Sequence, residues 1–270
     1  MTVGNSDARI LPVPPAPFAL IVGSVVRRAS ADELEQAIRH MGLQPERIDR
    51  DGRAQALPTF RLRFGTLSWI AGPADESALD QIDPTRPSTS LLAASLPRDW
   101  RDGRHCWMFV PEDADARGAA TGPSAEGRDY LKAMLLLIDL FNASHFFWMP
   151  ARLWSDAPQF RASVAEMLTS GMPPVLHLVA FRRHDSDEGE AVGTRGLMWF
   201  AGQELEAGMP PGWTVAEMIK RLARLALDMM LHGRFSDNRA LQGLAPGETI
   251  RLTAVGGDRR TVRVEFGRQR

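Results

Sequence analysis

Hydrophobic and polar positions follow two different periods along the chain, and each change of period marks a predicted element. A continuous apolar run at 18–26 predicts a strand that is covered on both faces, and the alternation over 60–70 predicts a half-exposed hairpin. Helices are predicted where apolar residues recur every three or four positions, over 30–41, 128–144, 155–171 and 214–233. Further strands are predicted over 105–110, 145–149, 175–181, 194–202, 248–255 and 260–266, with one short helix over 88–96.

Two of these helices carry strong signals at both ends. Ser30 with Glu33, and Thr214 with Glu217, have the spacing of a capping box, in which the two side chains satisfy each other's backbone N–H groups. A glycine follows the last apolar position of each helix. The bounds of these helices are therefore predicted more firmly than those of the strands.

The order of elements predicts an α+β protein built from two ferredoxin-like (βαββαβ) units in tandem, which amounts to an internal duplication. The sheets are expected to be mostly antiparallel, with helices on one face. We expect a flexible N-terminal arm at 1–16, a first α+β module at 17–110, a linker at 111–127 and a second module at 128–270. The linker is rich in small and acidic residues and has almost no apolar content.

Charge and cysteine content narrow the classes of function. A net charge of −1 gives no electrostatic reason to expect a nucleic-acid or membrane partner. The single cysteine, Cys106, excludes an intramolecular disulfide, and the N-terminus lacks the basic start of a signal peptide. These features favour a cytoplasmic protein.

Arginine supplies nearly all of the positive charge, since Lys132 and Lys220 are the only lysines. GC-rich bacterial coding is the preferred explanation of this bias. An excess of arginine can also reflect planar recognition of acidic groups.

Three polar positions in apolar strands invite a chemical role. His145 heads the aromatic run 146–148, His177 lies in the middle of the predicted strand 175–181, and Cys106 follows His105. Filling of the interior is the preferred role for all three, because adjacent residues on a strand point to opposite faces and no ligand spacing links the two histidines. His145 is kept as a candidate general base. The acidic stretch 182–192 is interpreted as a solvated hairpin loop and not as a calcium loop.

Glu204 and Glu206 are the remaining candidates for catalysis. They lie two positions apart and would share one face of a continued strand, where paired carboxylates can divide acid and base roles. Signatures of the common hydrolases, nucleotide-binding proteins and metal sites are absent from the sequence. No cofactor and no metal are predicted.

The segment 194–206, with the long helix and the segment 239–252 that follow it, resembles the C-terminal module of a bacterial family known only as a domain of unknown function. Gly196-Leu197, Glu204 to Glu206, Gly233 and the turn at Gly247 match its pattern, and 130–150 is similar to its helix-to-aromatic-strand junction. The resemblance covers residues 130–255. It implies no activity and no catalytic residues.

Abundant core patterning without a convergent polar set favours a non-enzymatic module that binds a partner protein or a second copy of itself through its sheets or edge strands. The alternative is a small-molecule-binding protein or hydrolase-type enzyme that uses Glu204 and Glu206, beside Trp199, in a cleft between the modules. A buried carboxylate pair would favour the alternative, and an exposed apolar patch would favour the first hypothesis.

Overall fold

A computed structural model describes residues 19–23, 30–48, 59–74, 76–92, 96–101, 106–112, 125–235, 238–257 and 260–268. The expected arm at 1–16 lies outside the described residues, as does most of the expected linker at 111–127.

The first sheet of the described structure has eight strands and is antiparallel except at one edge. Its strands are β1 (Ala19–Gly23), β2 (Gln44–Ile48), β3 (Thr59–Phe64), β4 (Leu67–Pro73), β5 (Ser90–Leu91), β6 (Cys106–Pro111), β7 (Ala143–Trp148) and β8 (Leu153–Asp156). They follow the order β2-β3-β4-β6-β1-β7-β8-β5, and only the pair of β5 with β8 is parallel. The predicted hairpin is confirmed, since β3 and β4 pair across Gly65 and Thr66.

The second sheet has six strands in the described residues. They are β9 (Ala180–Ser186), β10 (Gly189–Arg195), β11 (Glu204–Gly208), β12 (Arg239–Gln242), β13 (Glu248–Val255) and β14 (Thr261–Arg268). Their order is β12-β13-β14-β11-β10-β9, with β11 and β14 parallel and the other pairs antiparallel. Both sheets are therefore mostly antiparallel, as predicted.

Seven α-helices connect these strands in the described part of the chain, and a short 3-10 turn covers Met149–Ala151. The helices are α1 (Ala31–His40), α2 (Glu76–Gln81), α3 (Ala125–Leu140), α4 (Ala157–Ser170), α5 (Val175–Leu178), α6 (Leu197–Ala201) and α7 (Val215–His232). The capping boxes predicted at Ser30 and Thr214 are both formed. None of the helices in these residues is both long enough and apolar enough to cross a membrane.

One hydrophobic core runs through both sheets. It joins Ile21 and Trp148 of the first sheet, through Phe160 of α4 and Met218 of α7, to Val262 of the second sheet. A smaller cluster covers the opposite face of the first sheet. There Leu79 of α2 and Trp100 pack on Leu20, Phe147 and Trp154. Strand β1 is buried along its whole length, which confirms that both of its faces are covered.

This arrangement differs from the expected tandem. A ferredoxin-like unit places its first strand between the third and the fourth, whereas β1 lies between β6 and β7 and pairs antiparallel with both. Strands β7 and β8 follow the expected linker in sequence but belong to the first sheet. The ferredoxin-like topology is therefore not confirmed, and the strands of the first sheet continue beyond the expected linker as far as β8. Helices on one face only were also the wrong expectation, because α2 covers the second face of the first sheet.

Several short apolar segments take a different form from the predicted one. Residues 175–178 and 197–201 are helical, although both were predicted as strands, and 88–96 contains strand β5 where a helix was predicted. The acidic stretch 182–192 belongs to a hairpin, as expected, but most of it forms the paired strands β9 and β10 and not the loop between them. Short apolar runs fit either a buried strand or a buried helix, so periodicity does not decide between them.

Candidate functional site

Glu204 is the most deeply buried carboxylate among the sequence candidates. Only 2% of the residue is exposed. Its Oε1 accepts hydrogen bonds from the backbone N–H of Gly196 at 2.7 Å and of Met198 at 3.0 Å. Its Oε2 accepts from the Thr194 hydroxyl at 2.7 Å and the backbone N–H of Leu197 at 3.2 Å. The carboxylate therefore satisfies the first turn of α6 and has no open side for a substrate.

Burial raises the pKa of the Glu204 carboxyl, and the hydrogen bonds from Met198, Thr194, Gly196 and Leu197 oppose that shift. All four partners are donors to the carboxylate, so the ionised form fits the site. Glu204 is a structural anchor for α6 in this fold.

Glu206 has different surroundings on the same strand. Its side chain is 31% exposed and lies 3.6 Å from Nε2 of His184. It lines an open pocket of about 400 Å³ together with Asp187, Glu188 and Arg263. That pocket lies on the second sheet and not between the sheets. The two glutamates therefore do not form a buried carboxylate pair.

His145 and His177 both lie within electrostatic range of Asp156. His145 faces Asp156 across the pairing of β7 with β8. His177 lies in α5, with its Nδ1 3.3 Å from Oγ of Ser155. Burial lowers the pKa of both imidazoles, and the Asp156 carboxylate partly opposes this shift.

The pair of His177 with Ser155 does not resemble a working nucleophile. Ser155 is completely buried, so a substrate has no access to its hydroxyl. The Asp156 carboxylate caps α4 by accepting from the backbone N–H of Gln159 at 3.0 Å. No group of three or more potential ligands among the described residues could hold a metal ion.

Cys106 is a buried residue of β6, and its thiol donates to the carbonyl of Trp100 at 2.7 Å. This position agrees with the interpretation of Cys106 as a small interior residue. The neighbouring His105 lies outside the described residues.

Apolar exposure is concentrated at one edge of the first sheet. The described residues include six exposed large apolar side chains, and five of them lie on two segments that border β8. We call these five the edge patch, which comprises Leu91 (51% exposed), Leu92 (41%), Leu168 (39%), Met172 (48%) and Leu176 (50%). Leu91 ends β5, which pairs with β8, and Leu92 follows it. Leu168 lies in α4, Leu176 in α5 and Met172 between them, and both helices contact β8.

The edge patch was not predicted from the sequence, because the pattern at 88–96 favoured a helix that includes Leu91 and Leu92. The residues before them, Ser88 to Ser90, are serine and threonine, and no apolar residue lies three or four positions before either leucine. This pattern could have indicated a short strand.

The fold and these sites define an α+β protein of two mostly antiparallel sheets on a shared core, with exposed apolar side chains at one edge of the first sheet. Comparison of the chain with known protein families, with curated proteins and with solved structures finds no match. The resemblance to a bacterial domain of unknown function therefore stays a prediction.

Proposed function

We propose that the protein is a non-enzymatic interaction module, and that the edge patch binds an apolar surface of another protein chain, in the simplest case a second copy of itself. The concentration of five exposed apolar side chains beside β8 carries this proposal. Contiguous exposed apolar surface is characteristic of protein-binding sites.

The backbone of β5 supports the same role. The N–H groups of Ser90 and Leu92 donate toward β8, to the carbonyls of Arg152 and Trp154, both at 2.8 Å. Because successive peptide groups of a strand point to opposite sides, those of Leu91 face away from β8. Strand β5 ends the order of the first sheet in the described residues, so this edge offers hydrogen-bonding groups beside the exposed leucines.

The expected association is weak. Covering the exposed half of a leucine or methionine contributes about 1 kcal/mol, so the edge patch contributes about 5 kcal/mol on each chain. The loss of translational and rotational freedom costs at least about 4 kcal/mol. The interaction should therefore be reversible and depend on concentration.

Sedimentation velocity over a range of protein concentrations tests the proposal. We expect the wild-type chain to show a monomer–dimer equilibrium that Leu91→Lys combined with Leu176→Lys abolishes. Leu244→Lys is the matched control, because Leu244 is the sixth exposed large apolar residue and lies outside the edge patch. A dimer that survives the double substitution contradicts the proposal, as does one that the control substitution weakens equally. A monomer at every concentration contradicts association with a second copy.

The alternative hypothesis, a small-molecule-binding protein or hydrolase-type enzyme in a cleft between modules, has less support. Both carboxylate oxygens of Glu204 already accept hydrogen bonds from the backbone of α6. Glu206 faces an open pocket on the second sheet. His145 is buried as well. We propose no catalytic residue.

A further inference from the structure

Three arginines converge on one segment where the two sheets meet. Arg195 of β10 donates from Nη1 to the carbonyl of Ser88 at 2.6 Å, and Arg182 of β9 donates to the carbonyl of Pro87 at 2.6 Å. Arg152 donates from Nε to the carbonyl of Ser88 at 3.3 Å and from Nη2 to the carbonyl of Gln81. We call Arg152, Arg182 and Arg195 the arginine cluster.

Sheet register brings two members of the cluster together. Arg182 pairs with Gly193, and Arg195 pairs with Ala180, so both arginines lie on the same face of the β9–β10 hairpin.

A glycine brings the third member close. A Cβ atom on Gly196 would lie 2.8 Å from Cβ of Ala151 and 2.7 Å from the carbonyl oxygen of Leu178. Only a glycine permits this approach, which brings the backbone of Arg195 beside that of Arg152. Arg152 itself has a φ of 47°, a left-handed conformation that is uncommon for a residue other than glycine. Strain of this kind is often found at functional sites.

The described residues around the cluster supply no ion-pair partner for its three positive charges. Arg195 is 5% exposed, and the other two side chains are half-buried. In the part of the chain that the structure describes, no carboxylate lies within ion-pair distance of any of the three guanidinium groups.

The pKa of Arg195 is lowered to about 10, mainly by burial and then by the charges of Arg182 and Arg152, against the opposing effect of Glu204. Arg86 lies near enough to lower the pKa of Arg152, after the larger effect of burial. The Glu204 carboxylate is the only acidic group that acts on Arg195 among the causes of this shift, and α6 already occupies its oxygens.

We propose that the arginine cluster is a binding site for a small molecule that carries a phosphate group. Each guanidinium has five N–H donors, and Arg195 uses one nitrogen in a hydrogen bond among the described residues. The unused donors of three planar groups suit an anion with several oxygens.

Charge selects phosphate over carboxylate. The three arginines supply three positive charges, and Arg86 is near enough to act electrostatically on Arg152. A phosphate monoester carries nearly two negative charges at pH 7 and three acceptor oxygens, whereas a carboxylate carries one charge and two oxygens. The phosphate dianion therefore neutralises more of the buried positive charge than a carboxylate does. Buried charge without a counter-ion is energetically costly.

Isothermal titration of the full-length chain with methyl phosphate, and separately with acetate, tests this site at constant ionic strength and pH 7. We expect saturable binding of methyl phosphate and at least tenfold weaker binding of acetate. Arg182→Gln removes a charge from a half-buried position, and Arg195→Lys keeps the charge but removes the planar fork. Each substitution should weaken methyl phosphate binding at least tenfold. Thermal unfolding of each variant establishes that it is folded.

Arg161→Gln is the matched control. Arg161 is paired with Asp139 at 2.6 Å on the surface of α4 and lies outside the cluster. Its substitution should leave the affinity for methyl phosphate unchanged. The proposal is overturned if methyl phosphate does not bind, if acetate binds equally well, or if folded Arg182→Gln protein retains the wild-type affinity. This test is independent of association through the edge patch.

Discussion

Replacement of Glu204 by glutamine tests whether this residue is a structural anchor. The change keeps the shape of the side chain but replaces one acceptor oxygen by an NH₂ group. At Oε1 that group would face the backbone N–H of Gly196 and Met198. At Oε2 it would face the N–H of Leu197 and the Thr194 hydroxyl, which can turn away toward the carbonyl of Leu205. At least one buried N–H group therefore loses its acceptor in either orientation.

The cost follows from these lost contacts. An orphaned buried donor costs about 1–3 kcal/mol, and loss of charge weakens the remaining hydrogen bonds. We expect Glu204→Gln to lower the free energy of unfolding by about 2–4 kcal/mol. For a chain of this size, that loss corresponds to a melting temperature lower by about 5–10 °C.

Urea unfolding followed by tryptophan fluorescence measures this loss, with Glu206→Gln as the control. Glu206 lies on the same strand with a half-exposed side chain, so its substitution should cost less than about 0.5 kcal/mol. Equal and small effects of the two substitutions would refute the assignment of Glu204 as an anchor.

Three further substitutions test the packing and the ion pairs. Gly196→Ala should destabilise the fold by about 3 kcal/mol in urea unfolding, because φ is 99° and the new Cβ meets the Leu178 carbonyl at 2.7 Å. Phe160→Ala should cost about 3–5 kcal/mol in the same assay, since the ring is completely buried. Arg221 lowers the pKa of Glu248, so the pair stabilises the fold above the ordinary glutamate pKa of about 4.3 and loses this effect as the pH falls through the folded-state value. Glu248→Gln should therefore flatten the acid side of the stability–pH curve.

Elements with their own start and stop signals could be predicted from the sequence. Helix α7 begins after Thr214 and ends before Gly233, as its capping box and final glycine indicate. The same holds for α1 after Ser30. These signals are local, because the atoms that satisfy the helix ends lie within a few residues of each other.

Elements without such signals depend on their tertiary surroundings. The segment 197–201 is a helix between Gly196 and Gly202, both with positive φ, and Glu204 accepts from its first turn. The carboxylate that stabilises this helix comes from the following strand and lies in the interior. The apolar residues of 197–201 fit a buried strand as well as a buried helix, so the sequence predicted a strand.

The candidate glutamates share one strand, but it is a separate strand after α6 and not a continuation of the predicted strand 194–202. Their surroundings depend on the elements that pack against that strand. Glu204 and Glu206 are both in β11. One meets the N-terminus of α6 and the other an open pocket. Position along a strand gives the face of a side chain and not the element that covers it.

The net charge of the whole chain likewise does not show how charge is distributed within the fold. The chain has 32 basic and 33 acidic residues, which gave no electrostatic reason to expect a nucleic-acid or membrane partner. Surface arginines such as Arg61 and Arg161 each lie within ion-pair distance of a carboxylate, and Arg221 pairs with Glu248 at 2.6 Å. These pairs neutralise both partners where they occur, so a near-zero total does not imply neutrality elsewhere. The arginine cluster gathers its charges from β9, β10 and the turn after β7, which only the fold brings together. The excess of arginine points to a ligand only where buried guanidinium groups have no carboxylate partner among the described residues. The charge and planar shape of those groups then indicate the chemistry of the ligand.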